Sequence, residues 1–210
     1  MSISNTSIIN MALGKISSKR ITNYEDATEN SPQAIQGRLH FEQTRDALIR
    51  SHYWRFASDR SSLTQDATDP EGDEYDNQFI LPTDFLRLKS VFGNNYTATE
   101  NTKYTFAIEG DRLLTNESSV DIRYIKKVTD PTKFDPLFVE VLILSLALKM
   151  LPALAGGDSK LYKDIQTELR LLVPSVRTLD RQETNTIGRN NRRPWLESRL
   201  SGGSISRSRV

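Results

Sequence analysis

The chain has 210 residues, no cysteine, and 28 Lys+Arg against 27 Asp+Glu, a formal net charge of +1. A chain of this length buries about 70% of its unfolded surface without help from a disulfide or metal, the lack of thiols excludes a disulfide framework, and near-neutrality excludes a protein that coats nucleic acid with its whole surface. The charge is uneven, however: Arg177 to Val210 holds eight Arg against Asp180, Glu183 and Glu197, an excess of +5 that leaves −4 on the first 176 residues.

Ile8, Ile9, Ala12, Leu13 and Ile16 recur at helical spacing behind a polar start at Ser4 and Asn5, which predicts a short helix over 4–17. No basic leader precedes these residues, so no export signal is expected. After a polar loop, Ser31-Pro32 pairs a cap with a first-turn proline. Ile35, Leu39, Leu48, Ile49 and Tyr53 then continue a stripe that predicts a second helix to about residue 53. Its polar face, Arg38, Glu42, Arg45 and Asp46, suits solvent or a neighbouring subunit.

An acidic Gly/Pro loop over 66–76 separates this helix from a run of short strands. Strands are expected at Phe79–Leu81, Leu86–Phe92, Tyr104–Glu109, Arg112–Thr115 and Val120–Ile125, with turns at Gly110-Asp111 and Asn116-Glu117-Ser118, as a small antiparallel meander. Asp135-Pro136 opens a third, apolar helix to about Leu151, whose apolar stretch Leu137–Leu148 is too short to span a bilayer. Asp158 caps a fourth helix whose stripe is Leu161, Ile165, Leu169 and Leu172, ending at Pro174. The expected fold is therefore mainly α. It has a four-helix bundle-like core over 1–57 and 130–176, an antiparallel β insertion over 58–129, and an extended basic C-terminal arm over 177–210.

No catalytic constellation stands out. Gly156-Gly157-Asp158-Ser159-Lys160 follows a helix and lacks phosphate-loop spacing, so it reads as a turn. Asp69, Glu71 and Asp73 alternate like calcium ligands, but Glu74 and Ile80 occupy the places where an EF-hand needs Gly and Glu. His40 and His52 are 12 residues apart with no third His and no Cys, so no metal or other cofactor is expected. No serine sits in a Gly-x-Ser-x-Gly elbow. Glu140 is the one carboxylate in an apolar setting, among Leu137, Phe138, Val141 and Leu142.

The basic tail has three readings. Arg189, Arg192, Arg193 and Arg199 with Trp195 suit a protein-docking arm, because Trp and Arg dominate interface hot spots. The same residues suit phosphate contacts with Trp195 stacked on a base, and a solvating disordered terminus is the third possibility.

Several stretches, taken in order, carry a resemblance. They are Ala12-Leu13-Gly14-Lys15-Ile16 with Ile21 and Asp26; Tyr53-Trp54-Arg55-Phe56-Ala57 with Arg60 and Leu63; Tyr75, Phe79, Leu81-Pro82 and Asp84-Phe85-Leu86-Arg87; and Asp180-Arg181-Gln182-Glu183 before an Arg-rich segment with Trp195 and Arg199. Across nearly the whole chain this resembles the head-to-tail adaptor proteins of short-tailed bacteriophages, the tail tubular protein A group. The resemblance implies a structural virion protein at the head–tail junction, in a ring typically of twelve copies beneath the portal protein. A helical wall, a C-terminal extension that docks on the portal through Arg189, Arg192, Arg193, Trp195 and Arg199, and a lower side that receives the tail nozzle or tube are implied with it. Genomic DNA would pass through the lumen without specific binding, and no membrane partner is implied. Some related tail accessory factors are linked to cell-wall cleavage, so a peptidoglycan hydrolase and a DNA-binding protein stand as alternatives, although no motif here supports the former.

Overall fold

The computed structural model describes residues 3–72, 74–93, 105–156 and 158–182. Helix α1 (Asn5–Lys15) starts at Ser4, whose hydroxyl accepts from the Ser7 backbone while Ser7 returns a bond to the Ser4 N–H, a reciprocal cap. Helix α2 (Pro32–Ser51) starts at Ser31, which accepts from Ala34 N. Asp135 accepts from the backbone N–H groups of Leu137 and Phe138 to open α3 (Pro136–Leu154). Asp158 does the same for Lys160 and Leu161 at the start of α4 (Ser159–Gln182).

The buried stripe of α2 differs from the expected one. Ala34, Gly37, Phe41, Thr44, Arg45 and Ile49 face inward, whereas Ile35 and Leu39 are 47% and 57% exposed. Gly37 lets α1 approach, since a Cβ there would lie 3.1 Å from Ile9 Cγ2. Arg45, expected on the polar face, is buried, and its Nε donates to Asp46 Oδ1 (2.8 Å). Arg38 bonds the carbonyls of Asp26 and Glu29 rather than pairing with Glu42.

Helix α3 is the centre of the helical layer and packs on α1, α2 and α4. At 19 residues it exceeds the apolar stretch read from sequence and is long and apolar enough to cross a membrane. Ten of its residues are buried against the other helices and the adjoining sheet, the burial of a core helix. Helix α4 does not stop at Pro174. That ring sits on the exposed side, where a missing N–H is tolerated, while Val176 is buried at 2% and the helix runs on to Gln182.

Among the described residues, seven strands form two antiparallel sheets. One is ordered β1 (Ser58–Ser62), β7 (Val120–Lys126), β4 (Phe85–Gly93); the other is ordered β2 (Thr64–Gln65), β3 (Asn77–Ile80), β6 (Arg112–Thr115), β5 (Phe106–Glu109). The fold is thus mixed α and β, at 46% helix and 20% strand among the described residues, and not mainly α as expected. Two causes overturn that reading. Strand β1 is Ser-Asp-Arg-Ser-Ser and has no apolar alternation; it exists because its backbone pairs with β7, from Ser58 opposite Ile125 to Ser62 opposite Asp121. The strands do lie between α2 and α3 in chain order, but they share the helical core, in which Ala57, Ile125 and Val128 are buried. Nor do they form a meander, because β7 returns to lie between β1 and β4.

The three-stranded sheet has two unlike faces. Val120, Ile122 and Tyr124 meet Phe79, Leu81 and Leu113 in a second, smaller core between the sheets. By register, Arg60, Arg123 and Ser90 share the opposite side, as do Ser62, Asp121 and Phe92, and Ser58, Ile125 and Arg87. The helices cover that side at Ile125.

Candidate functional site

Helix α2 ends at Ser51, and the extended C-cap His52 turns the chain into the Tyr53–Ala57 corner. This corner receives the end of α4. Asp180 Oδ1 accepts from the Arg55 backbone N–H (3.1 Å), Asp180 Oδ2 meets His52 Nε2 (3.0 Å), and Arg55 Nε donates to the Asp180 carbonyl (2.7 Å). Arg177 Nη2 reaches Ser51 Oγ at 3.4 Å. The Trp54 indole N–H donates to the Leu48 carbonyl (2.9 Å), and its ring stands edge-on to His52 and to Phe138. Two of the stretches that carry the resemblance, 125 residues apart, therefore interlock.

Burial lowers the His52 pKa below its ordinary value of 6.5, against the upward pull of Asp180 and with smaller downward contributions from Arg177 and Arg181. The imidazole is neutral at pH 7, and its Nε2–H donates to the carboxylate. The clamp holds the last turn of α4 against the Tyr53–Ala57 corner.

Beside the clamp lies a cationic surface. Arg87 lies over the Tyr53 ring at 4.4 Å, with Lys89 Nζ over the same ring at 5.8 Å and Arg123 over Phe92 at 5.1 Å. The Tyr53 hydroxyl donates to the Leu88 carbonyl (3.2 Å), which holds the ring in place. Much of Lys89 is exposed, yet lost hydration of its ammonium, then the Arg55 and Arg123 guanidiniums, lower its pKa. Arg55 also acts on Lys89, together with Asp180, while Arg177 and Arg181 act on His52 at the clamp. A cleft of about 480 Å³ opens on this surface, lined by Arg60, Ser61, Ser62, Phe92, Asp121, Ile122 and Arg123. Asp121 accepts a hydrogen bond from Ser62 Oγ. Arg123 Nε is buried with no hydrogen-bond partner.

Of the residues expected to carry function, Arg189, Arg192, Arg193, Trp195 and Arg199 lie outside the described residues. The arm was expected from Arg177, but residues 177–182 belong to α4, and Asp180 is part of the clamp. Glu140 is exposed and faces an open groove of about 300 Å³ with Met11, Lys15 and Glu168, where Lys15 pairs with Glu168 at 2.8 Å. His40 and His52 are not brought together: His40 offers its carbonyl to Thr44, while His52 serves the clamp. Gly156 has φ +62° and makes the turn before α4. Among the described residues no group of three or more His, Asp or Glu could hold a metal ion. The basic surface was not foreseen, because its residues scatter from 60 to 123 and only strand register assembles them.

No protein-family model matches the chain, and no curated protein matches it.

Proposed function

We propose that this protein is a structural virion component, a head-to-tail adaptor that forms a ring beneath the portal of a short-tailed phage. The ring continues the channel for genome exit and offers its lower side to the tail nozzle or tube. The observation that carries this reading is the clamp, in which Asp180 binds the His52–Arg55 corner and fixes the end of α4, the element that precedes the arginine-rich segment in sequence. A basic segment that follows a fixed helix end suits docking, with Arg189, Arg192, Arg193, Trp195 and Arg199 meeting the portal. Exposed apolar side chains on the helical layer, Ile35 and Leu39 on α2 and Leu171 on α4 at 70%, support burial against other subunits.

Truncation tests the reading, and the clamp dictates where to cut. Removal of residues after Arg177 would delete Asp180, so the cut belongs after Gln182. The truncated chain is expected to keep the circular dichroism of the full chain and to lose capture by the phage's own portal protein. Capture at full-length affinity would contradict the docking role of the tail.

A further inference from the structure

The folded body separates its charges. Residues 1–182 carry −3 by sequence, yet Arg60 and Arg123 line the 480 Å³ cleft with Asp121, and Lys89 lies within the field of Arg55 and Arg123. None of Arg60, Arg87, Lys89 or Arg123 forms an ion pair with a described residue. Arg60 stands directly opposite Arg123 on adjacent strands. Like charges so placed repel, and the buried, unpartnered Arg123 Nε adds the penalty of a donor without an acceptor. A carboxylate between the two guanidiniums would relieve both.

An acidic segment of matching character lies in the other layer of the sandwich. The 66–76 loop joins β2 to β3, and its base is tied by Gln65 Nε2 to Asn77 Oδ1 (2.7 Å), Asp66 N to the Gln78 carbonyl (2.9 Å) and Arg112 Nε to Asp66 Oδ2 (2.7 Å). Beyond that base Asp69, Glu71, Glu74 and Asp76 are exposed and pair with no described cation. The loop springs from the four-stranded sheet, which packs on the inner side of the three-stranded sheet, whereas Arg60 and Arg123 of the cleft lining share its outer side. A loop reaching these two guanidiniums from that side would belong to another copy.

We propose that the cleft lined by Arg60 and Arg123, with Lys89 beside it, receives the acidic 66–76 loop of a second copy of this chain. The contact is heterologous, head to tail, and repetition of such a contact closes a ring when its rotation permits. The inference rests on the reading of the chain as a ring subunit. Complementary charge sets the register and orientation of neighbours, while the clamp keeps the basic end of α4 beside the cleft.

Sedimentation velocity on the full chain tests it. At about 50 mM salt the wild type is expected to gain mass with concentration, and at about 500 mM, where screening is strong, to return to monomer. Arg60→Glu with Lys89→Glu changes two exposed side chains, and Glu71→Lys with Glu74→Lys two others, so folding is preserved. Each double variant alone is expected to self-associate at least roughly tenfold more weakly, and the two mixed to regain association in complexes that hold equal numbers of each. A wild type that stays monomeric at low salt, variants that associate like wild type, or a mixture that does not pair would each overturn the proposal. Retention of duplex DNA by a monomeric wild type, lost in the Arg60/Lys89 variant, would assign the surface to nucleic acid and overturn it too. Portal capture is measured on the same proteins: intact capture without self-association ends this inference and leaves the adaptor reading standing, whereas absent capture by wild type ends the adaptor reading.

Discussion

The two hydrophobic cores of this protein share one sheet but are built from different resources. The helical core draws on all four helices and on Trp54, Ala57, Ile125 and Val128, and its centre is an aromatic cluster of Trp54, Phe56, Phe134 and Phe138. The inter-sheet core has Phe79, Leu81, Leu113, Val120, Ile122 and Tyr124, edged by Leu63, Phe85, Leu88 and Val91. The Tyr124 hydroxyl is satisfied by Asp84 (3.0 Å), and burial, then this bond, push its pKa up. Rigidity and recognition are thus divided between the two cores. The large core anchors the corner that holds α4, while the small one supports a sheet whose other face is covered by the helices at Ile125 and carries Arg60 and Arg123 beyond it.

Phe138→Ala is the severest way to disturb this comparison. The ring is fully buried against three other aromatics, and its loss is expected to reduce stability by about 4 kcal/mol in urea unfolding. Leu113→Ala, fully buried in the small core, is expected to remove about 3 kcal/mol. Because β7 sends Ile125 into one core and Ile122 into the other, both variants should unfold in one transition, by circular dichroism and by tryptophan fluorescence alike. Separate transitions for Leu113→Ala would mean the cores are independent folding units.

The clamp gives a smaller effect. Asp180→Ala leaves the Arg55 N–H and His52 without their acceptor and is expected to reduce stability by about 2 kcal/mol. The loss should centre on the end of α4, read as faster amide exchange over its last turns than in wild type. Acidification acts through the same contact with less force. The His52 pKa is lower in the folded protein than in the unfolded chain, so the unfolded chain takes up the proton first. This contribution to stability is complete above about pH 6.5 and declines as pH falls through the folded value. His52→Gln should flatten that part of the stability profile; an unchanged profile would remove His52 as its source.

Much of the helical layer was legible because its signals are local. Ser31-Pro32 and Asp135-Pro136 mark helix starts within two residues, and the structure uses both caps. Helix ends were less legible, since Pro174 carries a stop signal that the burial of Val176 and the bonds of Asp180 override. The face of α2 was misread because Gly37 and Arg45 have no apolar signature, although close approach to Ile9 and a buried ion pair put them inside. Strand β1 carries no pattern at all, as its pairing with β7 is supplied by residues some 60 positions away. The candidate surface depends on that pairing, so Arg60 and Arg123 look like two unrelated charges until the register sets them side by side.

The central claim is that this chain is a ring-forming adaptor seated on a portal. Electron microscopy of the full-length protein mixed with the portal protein of the same phage tests it most directly. A closed ring is expected beneath the portal, twelve-fold as the resemblance implies, and is lost on truncation after Gln182. Portal particles without added density, under conditions where both proteins are folded and in excess, would contradict it.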